Sequence, residues 1–322
     1  MNYDVKGYLP DSQKRVESLR RIVNGRPVAI LAAGPSIDTL EKRIGELRHA
    51  DICYFGLNNF FVQETHILKN INKHMSVVIC GASAGMAEAI DGITNFLDRD
   101  EDNMFISSLN SETFDSVENG FKREQFLDCY DKKLLFVGAA GEKNIPNVEY
   151  PLHFITSNSL LVLIQMAIIG EASSIVLFGA DGHCGEKSQK YYYRQNEYEV
   201  RKWPKTDLLL INDTLCQFNP VASVAIRNTC KTYDLSPINI LNCSKKSFYT
   251  SFPKISYDEG LEYLATGKKI IGKLDLRVPL KPKMPNLWLL SARKIINFLR
   301  KHKWNVFSAG IKKIWHELVT MS

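Results

Sequence analysis

Residues 159–183 read SLLVLIQMAIIGEASSIVLFGADGH and combine an apolar helical pattern with a buried strand pattern. The first part, Ser159–Ile169, has Gln165 as its only polar residue after the initial serine, so we expect a helix lying deep against a sheet. The second part, Ser174–Ala180, is the most hydrophobic strand pattern in the chain. A buried helix followed by a buried strand is typical of α/β proteins, in which helices cover both faces of a parallel sheet.

The same alternation of apolar runs and helical patterns extends through most of the chain. It predicts one mainly parallel α/β domain over residues 1–277, with polar loops at 108–125 and 182–206. The predicted strands are Pro27–Ala33, Ile52–Leu57, Ser76–Cys80, Met104–Ser107, Leu134–Val137, Ser174–Ala180 and Ile238–Leu241. The predicted helices are residues 11–23, Ile37–Leu47, Gly85–Asp98, Ser159–Ile169 and Val221–Tyr233.

The composition is that of a globular chain, with 45% hydrophobic and 24% charged residues among 322. No apolar run reaches the roughly 18 residues of a membrane span, and the first residues lack the apolar core of a secretory signal. The seven cysteines are scattered without a C-x-x-C pair, which disfavours a disulfide framework or a zinc knuckle. We therefore expect a protein of the reducing cytoplasm.

Positive charge is concentrated at the C-terminal end, where residues 281–322 hold nine Lys or Arg against Glu317 alone. The first 280 residues carry 32 basic and 34 acidic side chains. Residues 278–285 read as a linker, and apolar residues then recur at helical spacing in two stretches. These are Trp288, Ala292, Ile295, Ile296 and Leu299, followed by Phe307, Ile311, Ile314, Trp315 and Leu318.

This segment, residues 278–322, predicts two basic amphipathic helices of the kind that lie on an anionic bilayer. The alternative is that they pack on the α/β domain with their lysines facing water. Nucleic acid is disfavoured as a partner, because the aromatic residues share the apolar faces and do not interleave with the cations. We expect peripheral attachment to an anionic membrane surface.

Polar residues follow the predicted strands at the positions where open α/β sheets bind ligands. Gly34, Pro35 and Ser36 follow the first strand, and their turn suits an anionic group, although any strand-to-helix turn favours such residues. Asn58 and Asn59 follow the second strand and offer both hydrogen-bond donors and acceptors. Asparagine is equally a common turn residue.

Two further candidate sites flank the apolar helix. Thr156, Ser157 and Asn158 precede it, where they suit phosphate or ribose oxygens but also serve as ordinary helix caps. Asp181 and His183 follow the most hydrophobic strand and suit acid–base or metal chemistry. Downstream, Tyr192 and Arg194 lie in the run Tyr191–Arg194, which can bind a phosphate or an acidic sugar or merely pack the loop.

The motifs AILAAGPSID, YFGLNNFF and ITSNSLLVLIQMAIIGEASSIVLFGADGH, in this order, resemble bacterial sialyltransferases of glycosyltransferase family 42. They are also similar to a wider group that includes motility accessory factors and 6-hydroxymethylpterin pyrophosphokinase-like enzymes. The resemblance covers residues 26–60 and 153–245. It implies a metal-independent transfer from CMP-sialic acid on a variant single-sheet nucleotide-binding fold. It also implies peripheral attachment to the inner membrane of a bacterium, on its cytoplasmic side, through a basic C-terminal segment.

The resemblance also implies site roles. Gly34, Ser36, Asn58, Asn59, Thr156 and Ser157 would bind the CMP donor. Ala33 and Asn158 stand where the family has asparagine and glycine, and His183 stands where it has a tyrosine that assists phosphate departure. The family's catalytic histidine lies further downstream, yet none occurs here between His183 and His302. The general base would therefore be His183, Asp181 or a carboxylate such as Asp207 or Asp213, unless the chemistry itself differs from the family's.

Three hypotheses of function follow from the sequence. The first is a glycosyltransferase that uses a nucleotide-activated sugar, CMP-linked sialic or a related acidic sugar, to extend a lipopolysaccharide or other surface glycan without metal or cofactor. The second is a Mg-dependent pterin-type diphosphokinase in which Asp181 holds the metal. The third is a noncatalytic membrane-associated relative. Whether the chain forms a homo-oligomer stays open.

Overall fold

The computed structural model describes most of the predicted α/β domain, in several separate ranges. The C-terminal basic segment lies outside the described residues. The described residues are 12–57, 67–80, 91–99, 102–108, 123–139, 151–154, 158–182, 218, 221–245, 247 and 249–268.

Eight strands form one sheet in the order β6-β5-β4-β3-β2-β1-β7-β8, and each neighbouring pair is parallel. The predicted parallel α/β architecture is therefore confirmed. The strands are β1 (Val28–Leu31), β2 (Cys53–Leu57), β3 (Val77–Cys80), β4 (Met104–Ser108), β5 (Leu134–Ala139), β6 (His153–Phe154), β7 (Ser174–Phe178) and β8 (Asn239–Asn242).

Helices cover both faces of this sheet. The bounded α-helices are α1 (Ser12–Val23), α2 (Asp38–Arg43), α3 (Arg123–Tyr130), α4 (Ser159–Ile169) and α5 (Tyr257–Thr266). Residues 91–97 and 221–232 are also helical. Short 3₁₀ helices span Pro35–Ile37, Ile44–Leu47, Leu68–Ile71 and Asp131–Lys133.

Two hydrophobic cores lie on opposite faces because strand side chains alternate. In β1, Val28 and Ile30 join the core beneath α1, α4 and the 221–232 helix. Ala29 and Leu31 join the core formed with α2, α3, α5 and the 91–97 helix. All four side chains are fully buried, as expected for a central strand covered on both sides.

The apolar helix α4 is buried on all sides, as its sequence predicts. Every residue from Leu160 to Ile169 is buried. The amide of Gln165 donates through Nε2 to Thr229 Oγ1 at 2.8 Å, which links α4 to the 221–232 helix. Within the described residues, no helix is both long and apolar enough to cross a membrane.

Each of the predicted strands is present, with ends that match or are shifted by one or two residues. The predicted helix Ile37–Leu47 is wrong in detail, since its α-helical part is only α2 and 3₁₀ turns precede and follow it. The predicted loop 108–125 is wrong at its end, because α3 begins at Arg123. The helix α5 and the two-residue strand β6 are present in the structure but are not among the predicted elements.

Candidate functional site

The candidate site lies where the order of strands in the sheet reverses. From β1 the chain adds β2 to β6 on one side, whereas β7 and β8 lie on the other side. In parallel sheets the loops after the two strands at such a switch point diverge and leave a crevice for ligands. Leu31 of β1 pairs with Phe178 of β7, so the loops that follow these two residues flank the switch point.

Two glycines bring the backbones of these loops into direct contact. The Gly34 N–H donates to the Gly179 carbonyl at 2.9 Å. A Cβ atom on Gly34 would lie 2.3 Å from that carbonyl oxygen and 2.3 Å from Asp181 Oδ2. Gly179 has a φ of +65°, and a Cβ there would lie 2.1 Å from the Ala32 carbonyl oxygen. Only glycine fits at either position.

Asp181 connects the two loops through its carboxylate, which accepts a hydrogen bond from the Ser36 N–H at 2.9 Å. The Ile37 N–H donates to the Gly34 carbonyl at 3.1 Å, and Pro35 has no N–H to offer. The N–H groups of Gly34, Ser36 and Ile37 thus all have acceptors within the chain. An anionic ligand would bind these amides only by displacing the half-buried Asp181 carboxylate. The anion-binding role predicted for this turn therefore requires that carboxylate to move.

A cluster of hydroxyl groups lies beside this carboxylate. Ser36 Oγ is 2.8 Å from Ser244 Oγ and 3.2 Å from the hydroxyl of Tyr257. The Gly179 N–H donates to the same phenol oxygen at 3.2 Å. Burial raises the pKa of Tyr257, so this phenol keeps its proton at neutral pH. The cluster offers neutral donors and acceptors next to one carboxylate.

The loop after β7 is fixed by hydrogen bonds from side chains at the end of β8 and just after it. Asn242 Nδ2 donates to the Ala180 carbonyl at 3.3 Å and to Ser247 Oγ at 3.0 Å. The Ser247 hydroxyl also donates to the Ala180 carbonyl, at 2.6 Å. Asn242 and Ser247 are buried, and buried polar groups that are fully paired fix the backbone they contact. Asp181 therefore stands on a rigid support.

Of the predicted site residues, the structure brings Gly34, Ser36 and Asp181 together, with Pro35 in the same turn. Apart from Asn158, the remaining candidates fall outside the described residues. They are Asn58, Asn59, Thr156, Ser157, His183, Tyr192, Arg194, Asp207 and Asp213. Within the described ranges, no group of three or more His, Cys, Asp or Glu side chains is arranged to hold a metal ion.

Asn158 has a structural role in the described part of the chain. It is the N-cap of α4, and its side-chain oxygen accepts a hydrogen bond from the Leu161 N–H at 3.1 Å. An asparagine at this position stabilises a helix start by satisfying an otherwise unpaired backbone donor. Capping accounts for this residue without a ligand.

Sequence reasoning missed Ser244 and Tyr257. Ser244 follows the end of β8, so the rule that directed attention to the other strand ends applied to it as well. Tyr257 begins α5, whose start is marked by Ser256 and Glu259 in the spacing of a capping box. That pattern predicts a helix start at this point of the chain.

Comparisons of the chain with protein-family models, curated proteins and solved structures found no match.

Proposed function

We propose that the protein is a glycosyltransferase that binds a nucleotide-activated sugar at the switch point between β1 and β7. The donor is CMP-linked sialic acid or a related acidic sugar, and the acceptor is a lipopolysaccharide or another surface glycan. In this proposal the α/β domain is a variant single-sheet, GT-A-like nucleotide-binding domain. Basic amphipathic helices lie at its C-terminal end.

The observation that supports the proposal is the hydrogen bond between the Ser36 N–H and Asp181 Oδ2. These residues are 145 positions apart and belong to two of the motifs that carry the resemblance to sialyltransferases. Their contact at the carboxyl edge of a parallel sheet is the arrangement expected of one shared ligand site. The hydroxyls of Ser36 and Ser244 add groups that can bind sugar or ribose oxygens.

In the proposed reaction, the acceptor hydroxyl oxygen forms a bond to the anomeric carbon of the donor sugar. The bond from that carbon to the CMP phosphate oxygen breaks, CMP departs with the bonding electrons, and a general base takes the hydroxyl proton. Asp181 or His183 is the proposed base. Because the Asp181 carboxylate already occupies the Ser36 amide, the proposal assigns the departing phosphate to Tyr192 and Arg194.

The test is calorimetric titration of the full-length chain with CMP, UMP, ADP and GDP, first in EDTA and then with Mg²⁺. We expect metal-independent preference for CMP, weakened by Asn58→Ala. Preference for a purine nucleotide, or binding only with Mg²⁺, would contradict the proposal and favour the diphosphokinase. Binding of CMP without turnover of CMP-sialic acid on any glycan acceptor would favour a noncatalytic relative.

A second pair of variants distinguishes the two proposed bases. Asp181→Asn keeps the size of the side chain and an acceptor for the Ser36 N–H but removes the charge. If Asp181 is the base, turnover falls by about a hundredfold or more, whereas CMP affinity is unchanged or rises because a negative charge near the phosphate is gone. If His183 is the base, His183→Ala shows that loss of turnover instead.

A further inference from the structure

Tyr257 is the first residue of α5 and reaches the switch point from 221 positions beyond Ser36. Its hydroxyl contacts both loops of the candidate site at once. The Gly179 N–H, after β7, donates to the phenol oxygen at 3.2 Å, and Ser36 Oγ, after β1, lies 3.2 Å from the same oxygen. A single phenol therefore joins the two loops.

These contacts can form one continuous chain of hydrogen bonds. Because the phenol oxygen accepts from Gly179, its own proton is available for Ser36 Oγ. The Ser36 hydroxyl can then donate to Ser244 Oγ at 2.8 Å. This series of hydrogen bonds requires the phenol in its protonated form. Burial maintains that form by raising the pKa of Tyr257.

The phenol is held in place from three directions. Its ring packs on Phe178 of β7, with ring centroids 5.4 Å apart. Ser256 and Glu259 form a complete capping box at the start of α5. The adjacent Asp258 accepts a hydrogen bond from Arg43 at the end of α2, which joins α5 to the helix that follows the Ser36 turn. The position of the hydroxyl is thus determined by the elements that it connects.

We propose that Tyr257 is a positioning residue that fixes the turn after β1 against the loop after β7 and thereby shapes the nucleotide site. It acts through Ser36, which it contacts, on the Ser36–Asp181 hydrogen bond, which it does not contact. The effect on nucleotide binding rests on the function proposed above. The effect on the two loops does not.

The test compares Tyr257→Phe with Tyr263→Phe in the full-length chain. Tyr257→Phe removes only the hydroxyl and keeps the ring that packs on Phe178. Tyr263 lies on the same helix and packs against the same core, and in the described part of the chain its hydroxyl makes no hydrogen bond. Melting temperature, amide hydrogen exchange and CMP affinity are measured for each variant.

We expect Tyr257→Phe to speed amide exchange at Gly179 and at Ser36 and to weaken CMP binding by about three- to tenfold, as for the loss of one hydrogen bond. Tyr263→Phe should change neither exchange nor affinity. Combining Tyr257→Phe with Ser36→Ala should weaken CMP binding by less than the product of the two single effects, because both changes interrupt one chain of hydrogen bonds.

Exchange at the Ser36 amide decides the inference, because Tyr257 does not touch that group. Unchanged exchange at Ser36 would overturn it, and so would multiplicative effects of Tyr257→Phe and Ser36→Ala on affinity. If the wild-type chain binds no CMP, the proposed function fails, while exchange at Ser36 still supports or overturns the positioning role. Equal falls in melting temperature together with equal increases in exchange at Ser36 in both Tyr→Phe variants would also overturn it, because the effect would then be a loss of stability common to the helix.

Discussion

Gly34 and Gly179 are fixed as glycines by the backbone atoms that face them, not by a need for mobility. Gly34 lies against the Gly179 carbonyl and Asp181, and Gly179 lies against the Ala32 carbonyl with a positive φ. The sequence shows a glycine after each strand, which is an ordinary turn pattern. What it does not show is that the two glycines face each other, because that depends on which strands are neighbours.

For single residues, we predict that Gly34→Ala destabilises the protein and impairs the candidate site. The added methyl group would overlap a carbonyl and a carboxylate oxygen, and overpacking of this kind costs about 1–3 kcal/mol. Because the methyl group would also push the turn after β1 away from the loop after β7, CMP binding should weaken. Urea unfolding and calorimetry measure the two effects.

Gly45→Ala is the matched control for that substitution. A Cβ at Gly45 meets no atom within 4 Å. Its φ is not in the left-handed region. Alanine there should be neutral or stabilising by up to about 1 kcal/mol through the unfolded chain. Equal losses of stability in the two variants would contradict the close contact at Gly34.

Asn158 provides a test that separates a helix cap from a ligand contact. Asn158→Ala should lower the free energy of unfolding by about 1 kcal/mol, because the Leu161 N–H loses its acceptor. Asn158→Ser should restore most of that stability, since serine also caps helices well. If CMP affinity stays low in Asn158→Ser while stability recovers, Asn158 contacts the ligand in addition to capping α4.

At the scale of elements, α5 contributes more to the site than its distance in sequence suggests. It carries Tyr257 into the switch point and begins with a complete capping box. The Ser256 N–H donates to Glu259 at 2.6 Å, and the Glu259 N–H donates to Ser256 Oγ at 3.2 Å. The hydrogen bonds from Ser256 lower the pKa of the Glu259 carboxyl group from its ordinary value of 4.5.

The capping box should therefore give a stability that depends on pH. A carboxyl group whose folded pKa is lowered stabilises the fold above its unfolded pKa, and that contribution is lost as pH falls through the folded value. Ser256→Ala should cost about 1 kcal/mol at pH 7 and less at a pH acidic enough to protonate Glu259. Urea unfolding at both pH values measures the difference.

The control for this prediction is Ser173→Ala. Ser173 is exposed, and in the described part of the chain its side chain makes no hydrogen bond. This substitution should leave the free energy of unfolding nearly unchanged at both pH values. A cost at Ser256→Ala that stays the same from pH 7 to the acidic pH at which Glu259 is protonated would show that Glu259 adds nothing to the cap.

Local patterns were sufficient to predict the strands but not which strands are neighbours in the sheet. Apolar runs such as those in β1 and β7 identify buried strands, because a strand covered on both faces excludes polar residues. Which strands lie side by side depends on how the helices cover them. The spacing of apolar residues along the chain does not contain this information. The sequence predicts Ser36 and Asp181 for one site at the ends of the strands, but only the structure shows the hydrogen bond that joins them. Tyr257 was missed because an aromatic residue at a helix start reads as ordinary core.

At the scale of the whole molecule, charge is segregated along the chain. Residues 1–280 are close to neutral and residues 281–322 carry the excess of cations. The C-terminal segment lies outside the described residues, so its amphipathic helices and its membrane association stay a prediction from sequence. A sugar transferase acting on a lipid-linked glycan would gain from such attachment, because it holds the enzyme at the surface where its acceptor lies.

We predict that the full-length chain sediments with vesicles containing anionic lipid at low salt and is released as salt rises. Lys312→Glu with Lys313→Glu should weaken this binding by at least about tenfold, since each basic residue near such a surface contributes about 1 kcal/mol. Lys69→Glu with Lys231→Glu makes the same change in net charge at exposed positions of the body. If both double variants lose binding equally, net charge alone attracts the protein to the vesicles. If only the C-terminal variant loses binding, these residues form the membrane-binding surface.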